Sequence, residues 1–260
     1  MAIIAHFELT DLTKIEHLEN LAANAWPASE IEYLGQWLLR ADNGITRRAN
    51  SVLPIGSPGI HVDDAISTVI DFYESRGLYP RFQMTPACQP SSLDESLVNH
   101  GFSMGLDVFI QTAPIDRVSG FAHNHDIRLA ELPSATWLSA YSRMGNYDEK
   151  SIKVRSAILR RINREKSFAS AWDGDDIVGV CLGVVEDSWL GVFALVVDDS
   201  HRRQGIATSL NQGLAEWGKG LGASHVYLQV ETRNTSAINF YATLGFETLY
   251  KYWYRLLNGE

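Results

Sequence analysis

The sequence predicts a mixed α/β fold built as two similar halves, each a mostly antiparallel sheet flanked by helices. Three observations predict it. An apolar run, Gly191–Val197, stops at a polar turn and passes into a helical pattern from Ile206. A β-rich run, His225–Val230, follows that helix, so the helix crosses between two parallel strands. Shifting the chain by 144 residues lays His100-Gly101-Phe102 on Leu244-Gly245-Phe246 and keeps elements of like type aligned without a gap from about residue 37 to 110.

In chain order, Asn43-Gly44 is the strongest hairpin signal. The surrounding segment Arg40–Pro54 carries Thr46, Arg47, Arg48, Asn50 and Ser51. It reads as a strand more polar than a buried sheet accepts, either lining a cleft or facing solvent. Ile66, Ile70 and Tyr73 mark a helix; Phe82–Thr85 and Leu106–Ile110 mark strands. Pro114, Gly120 and a polar stretch interrupt the pattern between Thr112 and Asp126. This places a first domain at 1–115, a linker at 116–126 and a second domain at 127–260. His123 and His125 lie in the linker and, without a Cys, Asp or His constellation, read as solvated residues rather than metal ligands.

In the second half, Lys150, Lys153, Arg155, Arg160, Arg161, Arg164 and Lys166 accompany Ile152, Leu159 and Ile162, the mark of a helix with a solvated basic face. Ile177–Val185 and Trp189–Val197 flank the turn Asp187-Ser188, which the repeat aligns with Asn43-Gly44. Ile206, Leu210, Leu214, Trp217 and Leu221 give one apolar helix face, ended by Gly220 and Gly222. Tyr250–Tyr254 is a last apolar strand, the counterpart of Leu106–Ile110.

The turn before the helix carries chemistry. Arg202-Arg203-Gln204-Gly205-Ile206-Ala207 joins a strand end to a helix N-terminus. There, unpaired N–H groups and the positive end of the helix dipole favour phosphate. Gly205 admits close approach of a ligand to the backbone, and the arginines add charge. The spacing is neither GxGxxG nor GxxxxGK[ST]. It resembles the Arg/Gln-x-x-Gly-x-Gly/Ala signature of the GNAT superfamily of N-acetyltransferases. Downstream, Asn234, Ala237, Tyr241, Gly245 and Phe246 resemble that family's Asn-x-x-Ala-x-x-x-Tyr-x-x-x-Gly-Phe pattern. The two signatures stand in the right order, about thirty residues apart, and the resemblance covers roughly residues 127–256.

The resemblance implies a tandem GNAT-like acyl-CoA N-acyltransferase fold and acetyl-CoA as cosubstrate, with no metal. It implies that Leu195, Val196 and Val197 meet the pantetheine arm through main-chain atoms. Arg202, Arg203, Gln204, Gly205, Ile206, Ala207 and Thr208 would surround the pyrophosphate, and Asn234 and Ala237 would touch the cofactor near the next helix. Tyr241 would contact the cofactor and give a proton to the leaving thiolate. A phenol of pKa about 10 remains protonated at neutral pH and can serve a thiolate of pKa about 8.5. Glu231, at the end of the 225–230 strand, is a candidate general base, with a water chain as the other possibility.

Under the repeat, Gly205 falls on His61, Asn234 on Pro90 and Tyr241 on Leu97. The first domain is therefore a degenerate GNAT-like copy that lacks the phosphate loop and the tyrosine. Side-by-side pairing of the halves as a pseudo-dimer would put the acceptor cleft near their junction. The Arg-Ala-Asn-Ser-Val segment at 48–52 is similar to segments in uncharacterised two-domain members of the superfamily. The implied reaction is direct attack of a primary amine on acetyl-CoA. Transfer of another acyl group, succinyl or propionyl, and a non-catalytic acyl-CoA sensor are the alternatives.

Composition bounds these readings. The 260 residues are 45% hydrophobic and 10% aromatic, enough for packed cores. The net charge of −9 argues against nucleic acid or an anionic membrane as partner and suits a small-molecule or peptide amine acceptor. Cys88 and Cys181 have neither metal-ligand nor redox spacing. Without a signal peptide or a long apolar run, the expected location is the cytoplasm, as a monomer or homodimer.

Overall fold

A computed structural model describes residues 9–120 and 125–258; His123 lies outside them. The elements run α1 (Leu9–Ala25), β1 (Glu30–Leu34), β2 (Trp37–Ala41), β3 (Val52–Leu53), α2 (Val62–Glu74), β4 (Arg81–Met84), α3 (Leu93–Asn99) and β5 (Ser103–Pro114). They continue with α4 (Ile115–Ser119), β6 (Asp126–Ala130), α5 (Ala135–Gly145), α6 (Glu149–Arg161), β7 (Glu165–Asp173), β8 (Asp176–Glu186) and β9 (Trp189–Val197). The last four are α7 (Ile206–Gly220), β10 (His225–Glu231), α8 (Thr235–Thr243) and β11 (Glu247–Leu256). The offset of 144 residues carries α2, β4, α3 and β5 onto α7, β10, α8 and β11, so the chain is built of two similar halves.

Contacts divide the chain into unit 1, residues 1–108 with 250–260, and unit 2, residues 109–249. The boundaries differ from a simple tandem, because the last strand from Tyr250 onward belongs to unit 1 and the end of β5 belongs to unit 2.

In unit 1 the strand order is β1-β2-β3-β4-β11. β3 and β4 are parallel, at Val52↔Phe82, while β1–β2, β2–β3 and β4–β11 are antiparallel. The core gathers Trp37, Tyr73, Phe82 and Phe102. Trp37 and Phe102 both meet the Phe82 ring edge-on, at centroid distances of 5.8 and 5.5 Å. The Arg40–Pro54 segment is not one strand. Residues 42–51 form a closed loop between the antiparallel β2 and β3. The Asn50 amide closes it, accepting from the backbone of Asp42 and Gly44 at 2.7 and 2.9 Å and donating to the carbonyls of Asp42 and Thr46 at 3.1 and 2.7 Å. Asn50, one of the polar residues that read as lining a cleft or facing solvent, thus satisfies the loop's own backbone.

In unit 2 the order is β6-β7-β8-β9-β10, with β5 beside β10. β9 and β10 are parallel, and β6–β9 pair antiparallel in succession. Asp187 and Ser188, at φ 48° and 64°, make the tight turn expected between β8 and β9. α7 lays Ile206, Leu210 and Leu214 into the core, each burial stabilising by about 1.5–3 kcal/mol. Leu221 breaks the expected stripe: it lies one residue past the helix end and is exposed. Gly179 lets the helix sit against the sheet, since a Cβ there would lie 2.7 Å from the Ile206 side chain.

Part of the expected linker is ordered structure. Residues 115–119 form α4, whose Ile115 and Val118 are buried in the unit 2 core. Ile115 N–H donates to the Ser224 carbonyl at 2.9 Å, and Lys219 on α7 pairs with Asp116 at 2.6 Å. On α6, Lys150, Lys153 and Arg160 are exposed, as a solvated face requires; its buried residues are Val154, Ile158 and Leu159.

Candidate active site

The site begins where two strands part. The parallel ladder between β9 and β10 runs from Trp189↔His225 to Val192↔Leu228 and stops there. On its other side, β9 changes register against β8 between Val180 and Leu182. Val196 faces Val180 and Phe193 faces Leu182, so Ala194 and Leu195 share the place opposite Cys181. Ala194 carries the bulge at φ 52°. The bulge bends β9 out of line with β10 and leaves a wedge. Leu195, Val196 and Val197 border it, partly buried.

Beyond the wedge, the Asp198 amide donates to the Val178 carbonyl at 2.9 Å. The Asp198 carboxylate caps the short 3-10 turn at 199–201, accepting from Ser200 N–H at 3.1 Å. It is also held by the Ser200 hydroxyl and Arg143, and these hydrogen bonds keep its pKa well below the usual carboxylate range. Arg203 and Gly205 take left-handed conformations, φ 61° and 86°. Gly205 caps α7. Ile206, Ala207 and Thr208 fill the first turn, whose N–H groups have no acceptor within the helix. No acidic residue occupies that turn. Arg202, Arg203, Gln204 and Gly205 are exposed, Ala207 and Thr208 are partly buried, and Ile206 anchors the turn in the core. Arg202 pairs with Asp199 at 2.6 Å, and the Gln204 side chain donates to the Ser200 carbonyl at 3.2 Å.

The second motif stands on α8. Asn234 caps this helix, its side-chain oxygen accepting from Ala237 N–H at 3.1 Å. Tyr241, on the same helix, is buried between Phe240 and Phe246, with ring centroids 5.0 and 5.5 Å away. Burial, reinforced by the neighbouring Cys181, pushes the phenol pKa up. Tyr241 therefore holds its proton through neutral pH. Glu231 closes β10, partly buried, and accepts from Arg233 Nε at 2.7 Å.

Three contributors carry no sequence signal. Ala194 bears the bulge without being glycine, and Arg143 reaches Asp198 from a helix 55 residues away. His125 departs from its expected solvated state: it is partly buried and hydrogen-bonds the Ser209 hydroxyl at 3.0 Å. Its ring lies 3.5 Å from where a Gly205 Cβ would stand. Among the described residues, no group of three or more His, Cys, Asp or Glu could hold a metal ion, and no helix is long and apolar enough to cross a membrane.

Residues 12–255 match the family described as "Probable histone acetyltransferase Rv0428c C-terminal". The chain is 29% identical over 245 residues to YobR, an uncharacterised N-acetyltransferase of Bacillus subtilis, covering 93% of this chain and 98% of that protein. It is 29% identical over 230 residues to the probable histone acetyltransferase Rv0428c of Mycobacterium tuberculosis, covering 86% of this chain and 68% of that one. Among solved structures, a GCN5-related N-acetyltransferase from Kribbella flavida superposes with a TM-score of 0.70 at 15% identity, over 98% of this chain and 97% of that one. A tandem GNAT protein from the clavulanic acid biosynthesis pathway gives a TM-score of 0.60 at 13% identity, over 75% and 69% of the two chains. At these identities the two structures speak to the fold.

Proposed function

The chain belongs to the acetyltransferase family matched over residues 12–255, within the GNAT superfamily of N-acetyltransferases, and from that premise we propose that it moves an acetyl group from acetyl-CoA to a primary amine by direct attack. In this reading the donor site lies in unit 2, and the first domain is a degenerate copy that does not hold the donor. One observation carries it: the β9–β10 wedge opens beside a helix N-terminus that has a left-handed glycine and no carboxylate in its first turn.

These residues fit acetyl-CoA. The main chain of Leu195, Val196 and Val197 borders the wedge along which a pantetheine arm would add as an extra strand. The N–H groups of Gly205, Ile206, Ala207 and Thr208 would hold the pyrophosphate, with Arg202, Arg203 and Gln204 around it. Asn234 and Ala237, at the start of α8, would meet the cofactor near that helix. Acetyl-CoA supplies a thioester, whose acetyl carbon exchanges its bond to sulfur for a bond to the acceptor nitrogen. Main-chain N–H near Leu195 would face the carbonyl oxygen, where negative charge develops. Tyr241 keeps a proton on its phenol oxygen and gives it to the departing sulfur. Glu231 is the candidate to take the proton that the amine loses. The acidic net charge favours a cationic acceptor, a small molecule or a peptide.

The test is calorimetric titration of acetyl-CoA into the full chain and a Gly205→Glu variant. One site per chain, abolished by the substitution, is the expected result. The added carboxylate opposes the phosphates, and a side chain at φ 86° is strained. Two sites would remove the degenerate assignment of the first domain. No binding would end the proposal.

A further inference from the structure

We infer that Arg143 is a positioning residue for the donor loop, fixing residues 198–205 in the conformation that receives the cofactor; this rests on the donor-site reading above. Arg143 stands on the last turn of α5, outside both sequence motifs. One arm of its guanidinium pairs with the Asp198 carboxylate, and the other donates to the Ile177 carbonyl at 3.0 Å. The Asp198 amide is itself bonded to the adjacent Val178 carbonyl. The opposite carboxylate oxygen accepts from Ser200. These contacts close a ring through α5, the start of β8 and the first residues of the loop. Asp198 is thereby held by backbone and side chain together.

The loop requires such a hold. Within three residues it has Arg203 and Gly205 at φ 61° and 86°. A non-glycine residue in the left-handed region persists only where its surroundings over-determine it. Past Asp198, Gln204 bonds back to Ser200 and Arg202 to Asp199 within the loop, and the His201 ring makes a longer contact, 3.4 Å, with Asp173 at the end of β7. Arg143 bonds the Asp198 carboxylate directly from an element outside the loop. Its planar fork serves two acceptors at once; a lysine can reach Asp198 with its charge but cannot reproduce both bonds in that geometry.

The experiment compares wild type, Arg143→Ala, Arg143→Lys, Asp198→Asn and the Arg143→Ala/Asp198→Asn double variant. It combines steady-state kinetics with calorimetric titration of acetyl-CoA. Arg143→Ala and Asp198→Asn should each raise KM and Kd for acetyl-CoA by about three- to tenfold with kcat within twofold. The double variant should be little worse than either single one, and Arg143→Lys should recover part of the loss. Unchanged Kd in the alanine variant, or equal falls in kcat and thermal stability with Kd unmoved, would overturn the inference while leaving the donor site standing. Failure of the wild type to bind acetyl-CoA would instead overturn the reading beneath it.

Discussion

In unit 2 the parallel ladder ends at Val192↔Leu228 and the strands part; in unit 1 the corresponding pair, β3 and β4, meets at Val52↔Phe82 and the chain then closes over the gap. Ile55 bridges Cys88, and Gln89 N–H donates to the Pro54 carbonyl at 3.0 Å. The Trp37 indole donates to the carbonyls of Gly56 and Gln89 at 3.0 and 2.9 Å. The helix ends differ as well. α7 begins at a left-handed Gly205 with no acid in its first turn; α2 begins after His61 at φ −59° and carries Asp63 and Asp64 there. Ser51, just before β3, accepts from Arg40 through both carbonyl and hydroxyl, at 3.0 and 2.9 Å. One element order thus yields two outcomes. In the proposed reading unit 2 leaves backbone and dipole for a ligand, whereas unit 1 closes the end of its parallel ladder with its own chain.

The sharpest way to break the contrast is to make unit 2 resemble unit 1 at one atom. Leu97 occupies the repeat position of Tyr241 and has no hydroxyl. Tyr241→Phe keeps the aromatic packing against Phe240 and Phe246 and removes only the proposed proton donor. The expected outcome is a fall in kcat of about 10²-fold or more with Kd for acetyl-CoA unchanged. Full turnover in this variant would remove Tyr241 as the acid.

What could be read beforehand follows the same divide between local and distant causes. The turn at Gly205 and helix α7 were legible because a glycine at a strand-to-helix junction and a 3.6-residue period are local properties of 205–220. The Asp187-Ser188 turn was legible for the same reason. The end of the ladder at Val192 depends on a pairing partner more than thirty residues away, so the residues alone do not give it; the pantetheine contacts that the resemblance implies at 195–197 point to it. Residues 42–51 misled because a polar run that closes on itself through Asn50 has the composition of an exposed strand. The assignment of Tyr250–Leu256 to unit 1 was invisible for a further reason. The repeat gives β5 and β11 similar patterns, so either strand could complete either half.

A second test addresses the buried polar network of unit 1. Glu19 on α1 is 1% exposed. It accepts from the Tyr250 hydroxyl at 2.8 Å and from the Gln83 amide at 2.6 Å, while Gln83 accepts from Arg40 at 2.8 Å. Burial raises its pKa to about 7, against the lowering effects of Tyr250, Arg40 and Arg48. The folded state therefore holds the Glu19 proton more tightly than the unfolded chain does. Its stabilising contribution is complete below the unfolded value of 4.5 and is lost as pH rises to about 7. The loss across this window is on the order of 3 kcal/mol. In Glu19→Gln, stability should fall less between these pH values, seen as a flatter profile of the urea midpoint. An unaltered profile would assign the pH dependence to other groups.

The smallest expected effect tests which half of the contrast matters more, charge or closure. Asp63 and Asp64 are exposed at the positive end of α2, where carboxylates stabilise a helix by about 0.3–1 kcal/mol each. They would also repel phosphate. Asp63→Asn with Asp64→Asn removes that repulsion but leaves Ile55 bridged to Cys88 and Pro54 bonded to Gln89. A pantetheine arm would still meet a closed strand pair, and the left-handed glycine would still be missing at His61. Calorimetry of the double variant should therefore find one acetyl-CoA site per chain, as in the wild type, with a slight loss of thermal stability. A second site in the double variant would mean that two carboxylates alone separate the two units, and that the closed ladder is incidental.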